Sequence, residues 1–362
     1  MFRLIAGALM GLALVSVAAV QPAAAQPAPQ PAPSPAAAPR PLFAPVKPNG
    51  PMAPVQHIKV HGVSLVGNLE GNSADRDVLV ILPPSYAKAK ARRYPVIYFL
   101  HGFAITGQYF SDFIHAPEAA LASAKKGQEF IIVVPDTDTK QGGSMYSASA
   151  TTGDFEAFVA KDLVAYVDAH YRTIARRAGR GLAGHSMGGY GVWKIGMKYS
   201  QVWSSLYAMS ACCVTPRTET VEAAKKIAGL TLDEAAKADF GARAGVASAV
   251  AWSPAPDKPP FYVDFAYKDG AIDPMVLDRW AANSPLVMVP QYVPGLKSMT
   301  AIASDVGDKD FLLKDDTAIH NELDRFGVAH SFEVYSGDHV NHIAERFAQK
   351  VLPFFAKHLA MK

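Results

Sequence analysis

The sequence predicts an α/β protein with a mostly parallel central sheet flanked by helices. Short apolar runs rich in β-branched and aromatic residues alternate with longer helical patterns, which is typical of β-α-β units. A glycine-flanked serine stands at the junction between one such strand and the helix that follows it. The chain has 362 residues, half of them hydrophobic, so it is long enough to form one large core. We therefore expect one main domain.

The first two predicted strands have no helix between them, so we expect them to form an antiparallel pair at the entry to the sheet. They are His57–Val66 and Arg76–Leu82. The remaining predicted strands are Val96–Leu100, Phe130–Val134, Arg180–Gly184, Ser204–Met209, Met299–Ala303 and Ser331–Tyr335. The helical patterns fall at Phe155–His170, Met187–Lys198, Asp316–Phe326 and Val340–Leu359.

The amino-terminal segment has the pattern of a secretory signal peptide over residues 1–25. Arg3 precedes an apolar run from Leu4 to Val20, and the small residues 23–25 provide a cleavage site. The run is short for a membrane span. Residues 26–55 are dominated by Pro and Ala and predict a disordered linker, and residues 56–362 form the main domain. We expect a periplasmic or extracellular protein without stable membrane insertion after cleavage.

Residues 214–290 interrupt the alternation of strands and helices. They contain Ala-rich helical patterns and a Pro-rich stretch, and we interpret them as a helical insertion after the sixth strand. Insertions in an open α/β sheet emerge at the carboxyl ends of the strands, where ligands bind. We therefore expect this segment to lie over or beside the functional site, and a purely structural excursion is the alternative.

The only two cysteines, Cys212 and Cys213, are adjacent. Neighbouring residues rarely form a disulfide because the geometry is strained, so two packed thiols are expected. A strained bridge in an oxidising compartment is the alternative.

The strongest functional signal is the pentapeptide Gly184–Gly188, which lies between a predicted strand and the helix that begins at Met187. This is the pattern of a nucleophile elbow, which exposes the hydroxyl of Ser186 on a tight turn. The amino terminus of the helix favours negative charge developing there, and the two glycines leave room for the strained turn. The motif and its context predict an α/β-hydrolase fold with Ser186 as the nucleophile.

A serine nucleophile needs a base, and the base needs an orienting acid. In this fold the chain order is Ser, then Asp or Glu, then His. His339 follows the strand predicted to end at Tyr335 and stands immediately before the last helix, so it is the predicted base. His342, about one helical turn later, is the weaker alternative. Surface or packing roles are expected for the other downstream histidines, His320, His330 and His358.

Three carboxylates follow the strand predicted to end near Ala303: Asp305, Asp308 and Asp310. Each is also explained as a loop carboxylate or as a cap of the following helix. Spacing alone does not separate them as candidates for the acid.

Backbone N–H groups are needed to bind the oxyanion of a tetrahedral intermediate. One is expected from Met187, the residue after the nucleophile, and the other from Phe103 in the loop after Val96–Leu100. His101 in that loop is expected to make structural hydrogen bonds.

These residues resemble the putative esterases of the α/β-hydrolase superfamily, which include esterase D (S-formylglutathione hydrolase), feruloyl esterases and mycobacterial mycolyltransferases. The resemblance runs from about Val78 to Leu359. The segment from Cys213 to Pro290 has no counterpart in the formylglutathione-specific members. The motifs that carry the resemblance are Tyr98–Gly102, Tyr171–Thr173, Gly184–Tyr190 and Gly337–His339.

The resemblance implies Ser186 as nucleophile, His339 as base and Asp310 as acid. The family places its acid three residues after a glycine, and Gly307 precedes Asp310 by three.

The resemblance also implies the amides of Phe103 and Met187 as oxyanion donors. Two aromatic residues, Tyr146 and Trp280, are expected near the substrate pocket, although packing explains them equally well.

The expected function is hydrolysis of a small-molecule or polysaccharide-linked carboxylic ester, with no cofactor and no metal. The formal charge of +3 gives no indication of nucleic-acid binding, and nothing in the sequence indicates the oligomeric state. Three alternatives remain. The first is acyl transfer to a sugar or lipid alcohol by the same acyl-enzyme. The second is metal hydrolysis by His339, His342 and Glu345, and the third is a non-enzymatic binding module on a proline-rich stalk.

Overall fold

The structure is a computed structural model that describes residues 50–108, 116–124 and 128–362. The predicted signal peptide and all but the last six residues of the predicted linker lie outside these ranges. Within them, no helix is both long enough and apolar enough to cross a membrane.

Strands of the described chain are numbered β1 to β12 in sequence order. They are β1 (Val55–His61), β2 (Asp75–Ile81), β3 (Val96–Leu100), β4 (Ile131–Pro135), β5 (Ala148–Ser149), β6 (Gly153–Asp154), β7 (Arg180–His185), β8 (Ser205–Met209), β9 (Tyr267–Lys268), β10 (Ala271–Ile272), β11 (Ala301–Gly307) and β12 (Ser331–Tyr335).

The helices are numbered in the same way, and two of them continue through π-helical turns at Phe158–Asp162 and Phe347–Val351. They are α1 (Ala116–Ala122), α2 (Phe155–Ala157), α3 (Leu163–His170), α4 (Met187–Lys198), α5 (Val221–Ala228), α6 (Leu232–Lys237), α7 (Phe240–Trp252), α8 (Pro274–Ala282), α9 (Pro285–Lys297), α10 (Leu313–Arg325), α11 (Ile343–Arg346) and α12 (Leu352–His358).

An eight-stranded sheet in the order β1-β2-β4-β3-β7-β8-β11-β12 forms the centre of the part of the chain that the structure describes. β2 pairs antiparallel with β1 and with β4, and all the other neighbours in this sheet are parallel. The predicted fold class and the antiparallel entry pair are therefore confirmed.

The central strands are buried on both faces, which explains why they read as continuous apolar runs. All five residues of β3, and likewise of β4 and β8, are buried. Successive side chains of a strand point to opposite faces. Accordingly, Ile97 and Phe99 join the core that packs under α1 and the carboxyl-terminal helices, and Tyr98 and Leu100 join the core under α4.

Two predicted strand ends differ from the observed ends by more than two residues. β1 ends at His61 instead of continuing to Val66, because Gly62 begins a 3₁₀ turn at Val63–Leu65. β11 extends to Gly307 instead of ending at Ala303, because its backbone pairs with β12 as far as Tyr335.

The segment between β8 and β11 contains α5 to α9 and the β9-β10 hairpin. Several of its helices begin at residues whose side chains accept hydrogen bonds from the first turn. Thr231 and Glu234 form a capping box, and Asp239 accepts a bond from the backbone N–H of Ala242. α9 carries Pro290 and Pro294 in its interior, which explains why the sequence did not predict it as a helix.

β7 and α4 are joined by a turn with no room for side chains at its glycines. A Cβ atom built on Gly188 would lie 1.9 Å from the carbonyl oxygen of Leu100 at the end of β3. α4 therefore begins directly against the carboxyl end of β3.

We predict that Gly188→Ala lowers the free energy of unfolding by about 1–3 kcal/mol, because the added methyl group overlaps the β3 backbone. Gly241→Ala in the first turn of α7 is the matched control, since its nearest neighbouring atom would lie 3.5 Å from the new Cβ. That control should change the free energy by less than about 1 kcal/mol. Urea denaturation measures both, and equal stability of the two variants would contradict the packing assigned to Gly188.

Candidate active site

Ser186 occupies the turn between β7 and α4 with φ 58° and ψ −117°. This left-handed φ is uncommon outside glycine and is held by the surrounding structure. The Ser186 N–H donates to the carbonyl of Met209 at 3.0 Å, and its carbonyl accepts from the N–H of Cys212 at 3.1 Å. The last residue of β8 and the loop after it therefore hold the serine backbone on both sides.

A continuous chain of hydrogen bonds joins Ser186, His339 and Asp310. The Oγ atom of Ser186 lies 3.0 Å from Nε2 of His339, and Nδ1 of His339 lies 2.9 Å from Oδ2 of Asp310. A carboxylate next to Nδ1 fixes the ring proton on that nitrogen, which leaves Nε2 free to accept the serine proton. The structure thus brings together Ser186 and His339, which the motifs predicted, and Asp310, which the family resemblance implied.

The sheet brings Asp310 and His339 to the same place. Asp310 follows β11 and His339 follows β12, and these strands are parallel neighbours whose carboxyl ends lie at one edge. Burial favours a neutral Asp310 carboxyl group. The hydrogen bond from His339 and its charge, together with a hydrogen bond from the N–H of Leu312, outweigh this effect and lower the pKa of Asp310 below its ordinary value.

The other two aspartates that the sequence left open have different partners. Asp305 is buried within β11, where it accepts a hydrogen bond from the Tyr207 hydroxyl and pairs with Arg346 at 2.7 Å. Asp308 accepts a hydrogen bond from the backbone N–H of Gly337 at 2.9 Å. Asp310 alone of the three contacts His339 among the described residues.

The remaining histidines lie in other contacts. His342 pairs with Glu345 at 3.0 Å and makes no hydrogen bond to Ser186. His101 is buried, where it accepts a hydrogen bond from the N–H of Thr137 and donates to the carbonyl of Gly102. His320 and His330 share a hydrogen bond between Nδ1 of His320 and Nε2 of His330, which lie 2.8 Å apart.

The two amides expected to bind an oxyanion lie on either side of Ser186. Met187 is the first residue of α4, so its N–H is among those with no partner inside the helix. Phe103 follows Gly102, whose Cβ position would lie 3.5 Å from the Cβ of Ser186. Neither amide donates a hydrogen bond to another part of the described chain.

A cavity of about 710 Å³ opens beside Ser186 and His339. Its wall is largely apolar, and two of its aromatic rings, those of Phe240 and Phe311, are more than half exposed. The Phe311 ring lies over His339, with ring centroids 4.8 Å apart. The apolar side chains that line the cavity include Phe103, Ile105, Phe240, Trp252, Phe311 and Ile343.

Tyr146 and Trp280 do not line this cavity, which corrects the sequence-based expectation. Tyr146 is fully buried, and its hydroxyl donates to the carbonyl of His101 at 3.0 Å. Trp280 is buried behind Trp252, with its indole N–H donating to Ser253. Both aromatic residues support the wall of the cavity from behind.

His185 is a site residue that the sequence did not single out. Its Nε2–H donates to the backbone carbonyl of His339 at 2.8 Å, and the two ring centroids are 4.7 Å apart. Burial, reinforced by the neighbouring His339, lowers the pKa of His185 to about 3. The position within the nucleophile motif was the available signal, but its partner comes from the distant β12 loop.

A serine, a carboxylate and an imidazole that follow one another along the chain in this order, at the carboxyl edge of a mostly parallel sheet with an antiparallel entry pair, are the features of the α/β-hydrolase fold. Within that fold, the profile of the family described as "Putative esterase" matches residues 72–350. The chain belongs to this family.

Individual relatives agree with this assignment. Esterase Rv1288 of Mycobacterium tuberculosis (strain ATCC 25618 / H37Rv) is 35% identical over 124 residues, which is 34% of this chain and 26% of the relative. The matched segment thus spans about a quarter of that protein's length.

Solved structures share the fold. A ferulic acid esterase has a TM-score of 0.60 and 24% identity, covering 85% of this chain and 99% of its own. An S-formylglutathione hydrolase from Agrobacterium tumefaciens has a TM-score of 0.56 and 16% identity, covering 86% and 98%.

We predict that His185 makes the fold sensitive to acid. The unfolded chain binds a proton at this residue below about pH 6.5, whereas the folded chain binds it only near pH 3. Stability is therefore lost as the pH falls from 6.5 towards 3. His185→Gln retains an N–H donor but does not titrate, so between pH 7 and pH 4 it should lose about 3 kcal/mol less than the wild type.

Denaturant unfolding at both pH values measures this difference. His57→Gln, at an exposed position on β1, is the control and should behave like the wild type. An equal acid-induced loss in the wild type and His185→Gln would show that His185 does not titrate as inferred.

Proposed function

We propose that the protein hydrolyses carboxylic esters through an acyl-enzyme formed on Ser186. The observation that carries this proposal is the hydrogen-bond chain from Ser186 through His339 to Asp310 beside a large apolar cavity. Membership of the esterase family supports the same reaction.

In the first step, Oγ of Ser186 attacks the ester carbonyl while its proton moves to Nε2 of His339. Asp310 remains ionised, because its lowered pKa keeps it a carboxylate, and it stabilises the imidazolium that forms. The amides of Phe103 and Met187 bind the oxyanion of the tetrahedral intermediate. His339 then donates its proton to the leaving alcohol, which leaves the acyl group on Ser186.

In the second step, His339 removes a proton from water as the water attacks the acyl-enzyme. The same two amides bind the second oxyanion, and His339 returns its proton to Oγ as the carboxylic acid leaves. His185 acts as a positioning residue in both steps, since its hydrogen bond to the backbone of His339 restrains the base.

The cavity favours esters with a bulky apolar part. A volume of about 710 Å³ is within the range of sites that enclose an entire small molecule. Aromatic side chains line it, and an aromatic or long aliphatic acyl group would bury most of its surface there. Ferulic acid esterases, which have the same fold, are named for an aromatic acid. The alcohol part of the substrate, free or linked to a polysaccharide, would extend towards solvent.

We predict that a fluorophosphonate labels the wild type once and that Ser186→Ala is not labelled. Loss of the nucleophile should lower kcat by about 10⁴-fold or more, because the serine and its base act as one unit. His339→Ala should lower it similarly. His342→Ala is the matched control, and its activity should stay within about threefold of the wild type. Intact-mass spectrometry and ester hydrolysis measure these outcomes. Full labelling of Ser186→Ala would refute the assigned nucleophile.

We predict that kcat/KM rises with acyl length in a series of p-nitrophenyl esters until the cavity is filled. Each buried methylene contributes about 0.8 kcal/mol, so the rise is about fourfold per carbon. Phe240→Ala should flatten this dependence, because it removes part of the wall. Met275→Ala, at an exposed position away from the cavity, should leave it unchanged.

The same assays, extended to feruloyl and acetylated-sugar esters with added alcohols, distinguish hydrolysis from acyl transfer. Release of free acid is the expected outcome. Predominant transfer of the acyl group to the alcohol would make the protein an acyltransferase.

A further inference from the structure

The only two cysteines of the chain lie in the wall of the cavity, immediately after β8. Both are free thiols, and the Sγ atoms of Cys212 and Cys213 lie 2.7 Å apart. Neither side chain is fully buried. The pair is therefore in mutual contact and open to small molecules that enter the cavity.

The backbone of this pair is joined directly to the candidate nucleophile. The N–H of Cys212 donates to the carbonyl of Ser186 at 3.1 Å. A Cβ atom on Gly189 would lie only 2.9 Å from Ala211, so the segment before the cysteines packs tightly on the first turn of α4. Cys213 has φ 60°, a left-handed conformation that is unfavourable for a side-chain-bearing residue. A change in the backbone conformation of the cysteine pair is therefore transmitted directly to the backbone of Ser186.

We propose that Cys212 and Cys213 are a redox modification site, and that closing them into a vicinal disulfide lowers turnover at Ser186. The site resets when a thiol reductant reopens the bond. The effect on turnover rests on the function proposed above, whereas the modification itself does not.

The oxidant is a small disulfide of general form RSSR. The thiolate of Cys213 attacks one of its sulfur atoms, which forms a mixed disulfide and releases the first RS⁻. Sγ of Cys212 then loses its proton and attacks the Cys213 sulfur, which closes the bridge and releases the second RS⁻. The two cysteines are oxidised, RSSR is reduced to two RSH, and the two thiol protons pass to the released thiolates.

This order of attack follows from the surroundings of the two thiols. The contact with Cys213, together with burial, raises the pKa of Cys212 well above its ordinary value, so Cys212 is a poor first nucleophile. The contact with Cys213 favours Cys212 as the second nucleophile, because the second attack is intramolecular.

The bridge is expected to be labile. Consecutive Cα atoms are about 3.8 Å apart, which is shorter than the usual separation of about 4.4–6.8 Å in disulfides. Strain makes a disulfide easier to reduce, and strained or exposed bridges are the ones that serve regulation. Closing the ring places this strain on the backbone of Cys212 and Cys213, and the N–H of Cys212 is the group that binds the Ser186 carbonyl.

The test uses the full-length protein in its reduced state and 4,4′-dithiodipyridine as the oxidant. The wild type should release two thiopyridone molecules per chain and lose about 2 Da, without retaining an adduct. Its kcat/KM for a p-nitrophenyl ester should fall by about tenfold or more, because a small displacement of the Ser186 hydroxyl from its reactive position lowers the rate of attack. Dithiothreitol should restore the original kcat/KM. Cys213→Ser should stop at a mixed disulfide on Cys212 or fail to react.

The double variant Cys212→Ser/Cys213→Ser is the matched control, with each protein compared only with its own reduced form. Its ratio of oxidised to reduced activity should be one. A stable adduct on the wild type, no mass loss, an unchanged wild-type activity ratio, or an equal fall in the double variant would each overturn the proposal. If the reduced protein hydrolyses no ester, the function proposed above fails, and the rate of fluorophosphonate labelling of Ser186 replaces kcat/KM as the second readout.

Discussion

The close approach of α4 to the carboxyl end of β3 is the constraint on which the site depends. Gly188 leaves no space between the helix and the Leu100 carbonyl, so the chain between β7 and α4 must turn within one residue. That residue is Ser186, which is held at positive φ by hydrogen bonds from the β8 side. The backbone strain is offset by packing elsewhere, as is common at functional sites. Its consequence is a serine hydroxyl that borders the cavity beside the amino terminus of a helix.

A second set of contacts fixes the strands that carry the base and the acid. Arg346 on α11 pairs with Asp305 on β11 at 2.7 Å and with Glu333 on β12 at 2.9 Å, and Asp305 also accepts a hydrogen bond from Tyr207 on β8. Asp305 and Glu333 stand opposite each other in the parallel register. Removing one partner of the buried pair Arg346–Asp305 costs about 3–5 kcal/mol. The contact from Arg346 to the half-exposed Glu333 joins β12 to the same side chain and supports the register that leads to His339.

Local sequence patterns were sufficient to predict the strands and the helix that carry the site residues. The bounds of β12 and α4 match the prediction residue for residue, because apolar periodicity and the glycine turns are encoded within a few positions. Local sequence patterns were not sufficient to choose among Asp305, Asp308 and Asp310. The choice depends on where β11 stops pairing with β12, which is a long-range property that spacing does not contain. The roles of Tyr146 and His185 were missed for the same reason, since their partners, His101 and His339, lie far away in the chain.

The sheet positions the Ser-His-Asp side chains, whereas the segment after β8 lines the cavity. This separation bears on how substrate specificity is set. Ser186, Asp310 and His339 follow β7, β11 and β12 respectively, whereas Phe240 and Trp252 reach the cavity from the two ends of α7. A substitution or a shift confined to α7 therefore changes the shape of the acyl site without altering any hydrogen bond in the Ser-His-Asp chain. Phe311 is the exception. It adjoins Asp310 and its ring lies against His339 in a tilted arrangement, so a substrate that contacts this exposed ring also shields the imidazole from water. Substrate binding and activation of the base are thereby linked at one aromatic side chain.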